Sequence, residues 1–221
     1  MRILLLADEP DLRFWDHLDR SLLENLDLII SCGDLPANYL SFITCFTNAP
    51  ILYVHGNHDN RYDRNPPEGC ICIEDTIYKF EGLRILGLGG SMRYKPGPCM
   101  YSEKEMSKRI RKLFFPLLRS RGFDILVAHA ALAGEGDSED IPHRGFECLK
   151  KLVDKYNPPY YFHGHMHKDY NFRFQRSRTY NDTLIINAWT SHFIEIDVPK
   201  VISEREERRA KAKSRKALGD A

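Results

Sequence analysis

Six short apolar stretches punctuate this chain: Arg2–Ala7, Leu26–Ser31, Ile51–His55, Leu83–Leu88, Asp124–Ala128 and Tyr160–His163. Each is rich in leucine, β-branched or aromatic residues and is bounded by turn formers, so each reads as a buried strand. Helical patterns cover roughly Leu12–Glu24, Asn38–Asn48, Glu103–Arg119 and Phe146–Tyr156, between most of these runs. Strand and helix in alternation point to an α/β architecture. Two pairs break the alternation and read as antiparallel hairpins. They are Thr76–Phe80 with Leu83–Leu88, joined by Glu81-Gly82, and Thr183–Asn187 with Phe193–Val198, which have no clear helix between them. The expectation is a mixed sheet, or two sheets.

Composition narrows the class. A length of 221 residues suits one domain with a sizeable core. Hydrophobic content of 43% and charged content of 29% fit a soluble globular protein. The net charge of +1 gives no general attraction to nucleic acid or membrane. The opening apolar run, Ile3 to Ala7, is too short for a signal-peptide core and is followed by acids, so it reads as a first strand. No window has the apolar length to span a bilayer. The six cysteines (32, 45, 70, 72, 99 and 148) are expected to be reduced structural residues of a cytoplasmic protein. Cys70-Ile71-Cys72 lacks the second pair that a structural zinc site wants. From Lys200 onward, eight basic and four acidic residues replace the large apolar ones. The globular domain is therefore placed at residues 1–199, and 200–221 reads as a charged, solvated helix or frayed tail.

Chemistry gathers at the ends of the strands. RILLLA runs into Asp8, LIISCG into Asp34, and ILYVHG into Asn57-His58-Asp59; DILVA runs into His129, and YYFHG into His165 and His167. In open α/β sheets the ligand site lies beyond the carboxyl ends of the strands, so these side chains can converge. One histidine there would be an ordinary polar cap; five such endings together are not. Aspartate, amide oxygen and imidazole without thiolate suit Mn²⁺, Fe²⁺ or Zn²⁺. The donors exceed the needs of one tetrahedral ion, and a pair bridged by one carboxylate uses them economically. Such two-metal sites clamp the attacking and leaving oxygens of phosphoryl transfer.

Asp8, Gly33-Asp34, Gly56-Asn57-His58-Asp59, His129 and Gly164-His165-Met166-His167 resemble the ordered motifs of the calcineurin-like metallophosphoesterases. The similarity runs from residue 2 to about 198. The resemblance implies a four-layer sandwich, two mixed β-sheets face to face with helices outside. It implies that Asp34 bridges two ions, that Asn57, His129 and His165 complete one site, and that Asp8 and His167 serve the other. His58 would sit over the phosphate and protonate the leaving oxygen, while Asp59 either orients His58 or stabilises the turn. The implied reaction is phosphodiester or phosphomonoester hydrolysis by a hydroxide held at the metals. One position departs from the family's Asp-x-His: here it is Asp8-Glu9-Pro10. Proline offers no ligand, and an extended Glu9 is expected to face away from Asp8. The first metal site is thus expected to lack a ligand and to hold its ion weakly.

Other residues carry open alternatives. Arg93, in GLGGSMRY, could clamp phosphate oxygens or pair with an acid and pin its loop. Arg61 and His143 are further candidates for substrate contact at the pocket rim. His163 reads as a buried hydrogen-bonded residue behind the site, His55 as strand or turn structure, and His17 as surface. The expected substrate is a small phosphorylated molecule, with nucleic acid the less favoured partner. A scaffold that keeps the fold without efficient chemistry, or a nuclease, are the rival readings.

Overall fold

The computed structural model describes residues 1–167 and 174–219, with side chains of the last helix described through Arg208 and at Ala210. Strands β1 (Arg2–Ala7), β2 (Leu28–Ser31), β3 (Ile51–Tyr53) and β4 (Cys70–Cys72) come first, with helix α1 (Ala37–Thr44) between β2 and β3. Next are β5 (Ile77–Phe80), β6 (Leu83–Leu88), and the short β7 (Ser91–Met92) and β8 (Met100–Tyr101). Helices α2 (Glu103–Lys112) and α3 (Phe114–Ser120) lead to β9 (Ile125–Ala128), α4 (Glu147–Tyr156) and β10 (Tyr160–His163). The chain closes with β11 (Ser177–Tyr180), β12 (Thr183–Asn187), β13 (Thr190–Glu195) and α5 (Val198–Gly219).

Two mixed sheets result. One has the order β13-β1-β2-β3-β4, the other β11-β12-β10-β9-β6-β5, while β7 and β8 pair separately. The period-2 alternation of side chains sorts each strand between two cores. Ile3, Leu5 and Ala7 face inward, with Ile125, Val127 and Phe162 of the opposite sheet. Leu4 and Leu6 face outward against Phe14, Tyr39 and Ile43. On the other side, Leu126 and Tyr161 pack against Met106, Leu117, Leu149 and Val153 of the helices. This is the expected four-layer α/β sandwich. Within it β1, β2 and β3 run parallel, as do β9 and β10, so the parallel strands end in the loops that carry the candidate residues.

Four local expectations change. The turn Glu81-Gly82 closes β5 on β6 as read, with φ of 45° and 82°, the left-handed pair a tight hairpin needs. Thr183–Asn187 and Phe193–Val198, however, are not partners. β12 pairs with β10 and with β11, a half-exposed strand of sequence SRTY, whereas β13 crosses to the other sheet and lies antiparallel to β1. A left-handed Thr190 (φ 58°) helps redirect the chain between sheets. The single helix expected over Leu12–Glu24 is two short 3₁₀ turns, Leu12–Phe14 and Arg20–Leu23. The carboxylates of Asp11 and Asp19 each accept the backbone N–H two residues on, at 3.0 and 3.1 Å, and these local bonds compete with a continuous helix. The helix expected over Glu103–Arg119 breaks at Leu113. Pro116 has no N–H for the carbonyl of Lys112, and its ring would crowd that oxygen.

The C-terminal segment is the fourth correction. It does have a core-facing side, because Val201 is buried in the core between the sheets. Asp197 caps the helix by accepting the Lys200 N–H at 3.1 Å. The Arg205 guanidinium donates to Asp124 Oδ2 at 2.8 Å and to the Gly82 carbonyl at 3.1 Å, and Arg208 donates to the Asn157 carbonyl at 3.0 Å. Asp124 is buried and is also held by Arg84, Nε to Oδ2 at 2.9 Å and Nη2 to Oδ1 at 2.6 Å. No helix among the described residues is long and apolar enough to cross a membrane.

The shared carboxylate sets an order of effects. Asp124→Ala leaves Arg84 buried and unpaired and should cost about 3–5 kcal/mol. Arg205→Ala keeps the Arg84 pair and should cost about 1–2 kcal/mol. Urea unfolding of the two variants checks the order; an Arg205→Ala protein as stable as the parent would return this helix to solvent.

Candidate active site

The carboxyl ends of β1, β2 and β3 meet those of β9 and β10 across the top of the sandwich. Three of the residues that do so, Asp8, Asp34 and His165, have left-handed φ values of 68°, 59° and 67°. Non-glycine residues rarely adopt this region, and they do so where surrounding structure enforces it. The enforcement here is visible. Gly33 and Gly56 lie so close that a Cβ on Gly33 would overlap the Gly56 backbone, and one on Gly56 would overlap the Asp34 carboxylate. The Asp59 carboxylate then ties the two loops, Oδ2 accepting the N–H of Asp34 and of Gly56, each at 2.7 Å. Those bonds match the turn-stabilising alternative for Asp59.

One group of donors is compact. Among the described residues, ligand atoms of Asp34, His129 and His165 all lie within 4.8 Å of one another. His129 Nε2 is 3.2 Å from Asp34 Oδ2 and 3.1 Å from Asn57 Oδ1. Backbone carbonyls behind the imidazoles set their tautomers. Cys32 O accepts from His129 Nδ1 at 2.8 Å, which leaves Nε2 facing the site. Pro142 O accepts from His165 Nε2 at 2.7 Å, which leaves Nδ1 as the lone-pair nitrogen. Asn57, His129 and His165 are buried.

The protonation states suit a cation. Burial disfavours charge on both members of the Asp34–His129 pair, but their mutual attraction outweighs it. Asp34 falls to about 2 and His129 rises to about 9. His165 is pushed down to about 3 by burial and by the neighbouring His129, so it is neutral and able to ligate. A divalent ion bound here would displace the His129 proton, and the Asp34 carboxylate, the Asn57 amide oxygen and the two imidazoles would be its donors.

The second group surrounds Asp8, whose side chain is 1% exposed. Its two oxygens accept the His165 N–H at 2.9 and 3.0 Å, and His167 Nε2 stands 3.5 Å from Oδ1. Glu9 departs from expectation. Because Asp8 is left-handed and not extended, strand alternation does not carry through it. The Glu9 carboxylate reaches His167, with Oε1 3.7 Å from its Nδ1. Pro10 lines the same cavity as Asp8.

That open cavity, of about 420 Å³, adjoins both groups. Asp8, Asp34 and His58 line it, together with Pro10, Asn38 and Arg61. His58 is held from its backbone, N–H to Asp34 Oδ1 at 2.6 Å, with the imidazole exposed to the cavity. His143 stacks beside His165 with ring centroids 5.1 Å apart, and its Nδ1 pairs with Asp140 at 2.6 Å. Arg93 takes its second alternative: it pairs with Glu105 at 2.9 Å and donates to the Met100 carbonyl at 3.1 Å. His163 is buried, its Nδ1 2.9 Å from the Gly164 carbonyl, and burial lowers it to about 4. His55 packs between Tyr53 and Tyr62 and contacts Glu74.

Sequence reasoning missed the carbonyls of Cys32 and Pro142, which carry no side-chain signal. It also missed Trp189, which stacks on His167 at 6.4 Å and arrives from a distant turn.

The fold and these paired donor groups are those of a metal-dependent phosphoester hydrolase. The chain belongs to the calcineurin-like phosphoesterase family, whose model matches residues 2–169. It is similar to an uncharacterised protein of Haemophilus influenzae, 26% identical over 211 residues, covering 77% of this chain and 86% of that one. Among solved structures it is similar to TT1561 of Thermus thermophilus, with a TM-score of 0.56, 14% identity, and 85% and 88% of the two chains covered. It also resembles GAP50, the anchor in the inner membrane complex of Plasmodium, with a TM-score of 0.50, 13% identity, and 85% and 70% covered.

If Asp59 acts by tying the loops, Asp59→Ala should lower metal affinity about 10–100-fold although Asp59 is not a ligand. Calorimetric titration with Mn²⁺ checks this; unchanged affinity with lost activity would return Asp59 to the chemistry.

Proposed function

We propose that this site hydrolyses a small phosphodiester with two divalent ions, Mn²⁺, Fe²⁺ or Zn²⁺, sharing Asp34. The observation that carries the reading is the placement of the exposed His58 imidazole and the Asp8 and Asp34 carboxylates around one open cavity. Asn57, His129 and His165 would hold the first ion with Asp34, and Asp8 and His167 would hold the second. Divalent ions there supply positive charge against the phosphoryl oxygens and acidify a water for attack.

The chain's own groups do the rest. Asp59 fixes the Gly56–His58 turn against Asp34, which sets the position of His58. From there the imidazole delivers a proton to the departing oxygen. Arg61, on the cavity wall, is placed to meet a phosphate oxygen or the leaving alcohol. Pro10 and Leu35 give the cavity an apolar side against which the organic part of a diester can lie. A monoester would leave that side unused.

Asp34→Asn should abolish turnover of bis(p-nitrophenyl) phosphate and lower metal content, since both ions lose the same charge. His58→Ala should keep its metals and lose turnover, with a smaller loss for substrates whose leaving groups need little protonation. Loss of metal from His58→Ala would contradict its role. Wild-type protein inactive across phosphodiesters and phosphomonoesters with all three metals would favour a scaffold.

Pro10 supplies no ligand to the second ion, and the Glu9 carboxylate stands beside that group, 3.7 Å from His167 Nδ1. Mn²⁺ titration should therefore resolve two affinities, activity following the weaker. Pro10→His should tighten the second ion and bring activity to lower metal concentration. A single shared affinity in the wild type would show that Glu9 fills the position.

A further inference from the structure

The break at Pro116 has a consequence on the opposite side of the second sheet. A continuous helix over Glu103–Arg119 would have kept one buried stripe. With the chain interrupted at Leu113, α3 buries Leu117 and turns its neighbours outward. Phe114, Phe115 and Leu118 are 54%, 76% and 62% exposed, three of the seven exposed large hydrophobic residues among the described residues. Scattered apolar residues are ordinary on a surface, but three from one seven-residue helix form a patch.

The patch borders a groove of about 510 Å³ between α2, α3 and α4. Ile110, Leu117 and Leu152 form its floor, and Phe114 and Tyr156 its walls. Its charged lining residues are Arg111, Lys151 and Lys155, all cationic. Among the described residues none of the three has a carboxylate ion-pair partner. Basic residues crowd this segment of a nearly neutral chain: residues 104–121 hold seven basic and one acidic residue. Of the seven, Arg109 points inward to Glu74 and Asp75, and Arg111 lines the groove.

We infer that this groove is a docking site for an acidic amphipathic helix of a partner protein, separate from the phosphoesterase site. An apolar floor calls for a ridge of large side chains at i, i+3 or i+4 and i+7, the helix-in-groove mode. A wholly cationic rim calls for Asp and Glu on the flanks of that ridge, and it disfavours basic helices through repulsion. Concavity selects a helix over a bilayer, since a membrane surface engages protruding residues and leaves a cleft floor uncovered.

The test uses a fluorescein-labelled peptide with leucines at i, i+3, i+7 and i+10 and glutamates on both flanks, and a second with lysines in place of the glutamates. Anisotropy titrations of the full chain should show the acidic peptide binding at least about tenfold tighter than the basic one. Lys151→Glu with Lys155→Glu should reverse that preference, and Phe114→Ser with Leu118→Ser should weaken the acidic peptide to a similar degree. Both double variants change exposed or half-exposed positions far from the metal donors in sequence, so circular dichroism and bis(p-nitrophenyl) phosphate turnover should stay at wild-type levels. Equal binding of the two peptides, binding insensitive to both double variants, or no binding would overturn the proposal. So would flotation with phosphatidylcholine–phosphatidylserine vesicles that the Phe114→Ser, Leu118→Ser protein loses while neither peptide binds; that result would assign the patch to a membrane.

Discussion

Two sheets are fastened to each other at one end by the residues that carry the proposed chemistry. Asp34 and Asn57 come from the first sheet, and His129 and His165 from the second. The join includes the Asp34–His129 contact at 3.2 Å, the Asn57–His129 contact at 3.1 Å, the Cys32–His129 bond at 2.8 Å and the Asp8–His165 bond at 2.9 Å. Everything else in the site depends on this seam. Beside it Asp8, Asp34 and His165 take left-handed conformations, and Asp59 ties the loops in which Gly33 and Gly56 lie in close contact. The seam also concentrates charge, with Asp34 held ionised by a buried imidazolium and His165 held neutral beside it. A cation that binds the folded seam and not the open chain strengthens it by mass action. Catalytic competence and the mutual alignment of the sheets are therefore one property.

Much of this is legible in the sequence, because the site is written in side chains at strand ends. Asp8, Asp34, Asn57, His129 and His165 each follow an apolar run, and parallel strands deliver such residues to one edge. What is not legible depends on backbone geometry or on distant pairing. Strand alternation carried through Asp8 puts Glu9 on the wrong side, because the chain is left-handed there. Cys32 and Pro142 act through carbonyls, which every residue has. Arg93 is a phosphate candidate by its glycine neighbours, and only the fold shows Glu105 beside it. The hairpin expected between Thr183–Asn187 and Phe193–Val198 fails because two open sheet edges, one in each sheet, compete for adjacent strands. The helix at 198 looks solvated in sequence because its anchoring to Asp124 and Gly82 is made by an arginine, a residue type usually found at the surface.

Two prolines shape what distinguishes this chain. Pro10 stands two residues after Asp8, where it can offer no side-chain ligand, and lines the neighbouring cavity. Pro116 ends α2 early and turns two phenylalanines and a leucine outward beside a cationic groove. The same physics, a ring that fixes φ and removes a donor, bears in one place on the proposed chemistry and in the other on the inferred recognition.

The central claim is that Asp34 is shared by two cations at the seam. Anomalous diffraction at the manganese edge from crystals grown in Mn²⁺ tests it most directly. The account predicts two peaks in contact with Asp34, the stronger against Asn57, His129 and His165 and the weaker against Asp8 and His167. A single peak away from Asp34, or no peak at saturating Mn²⁺ in an active protein, would contradict it.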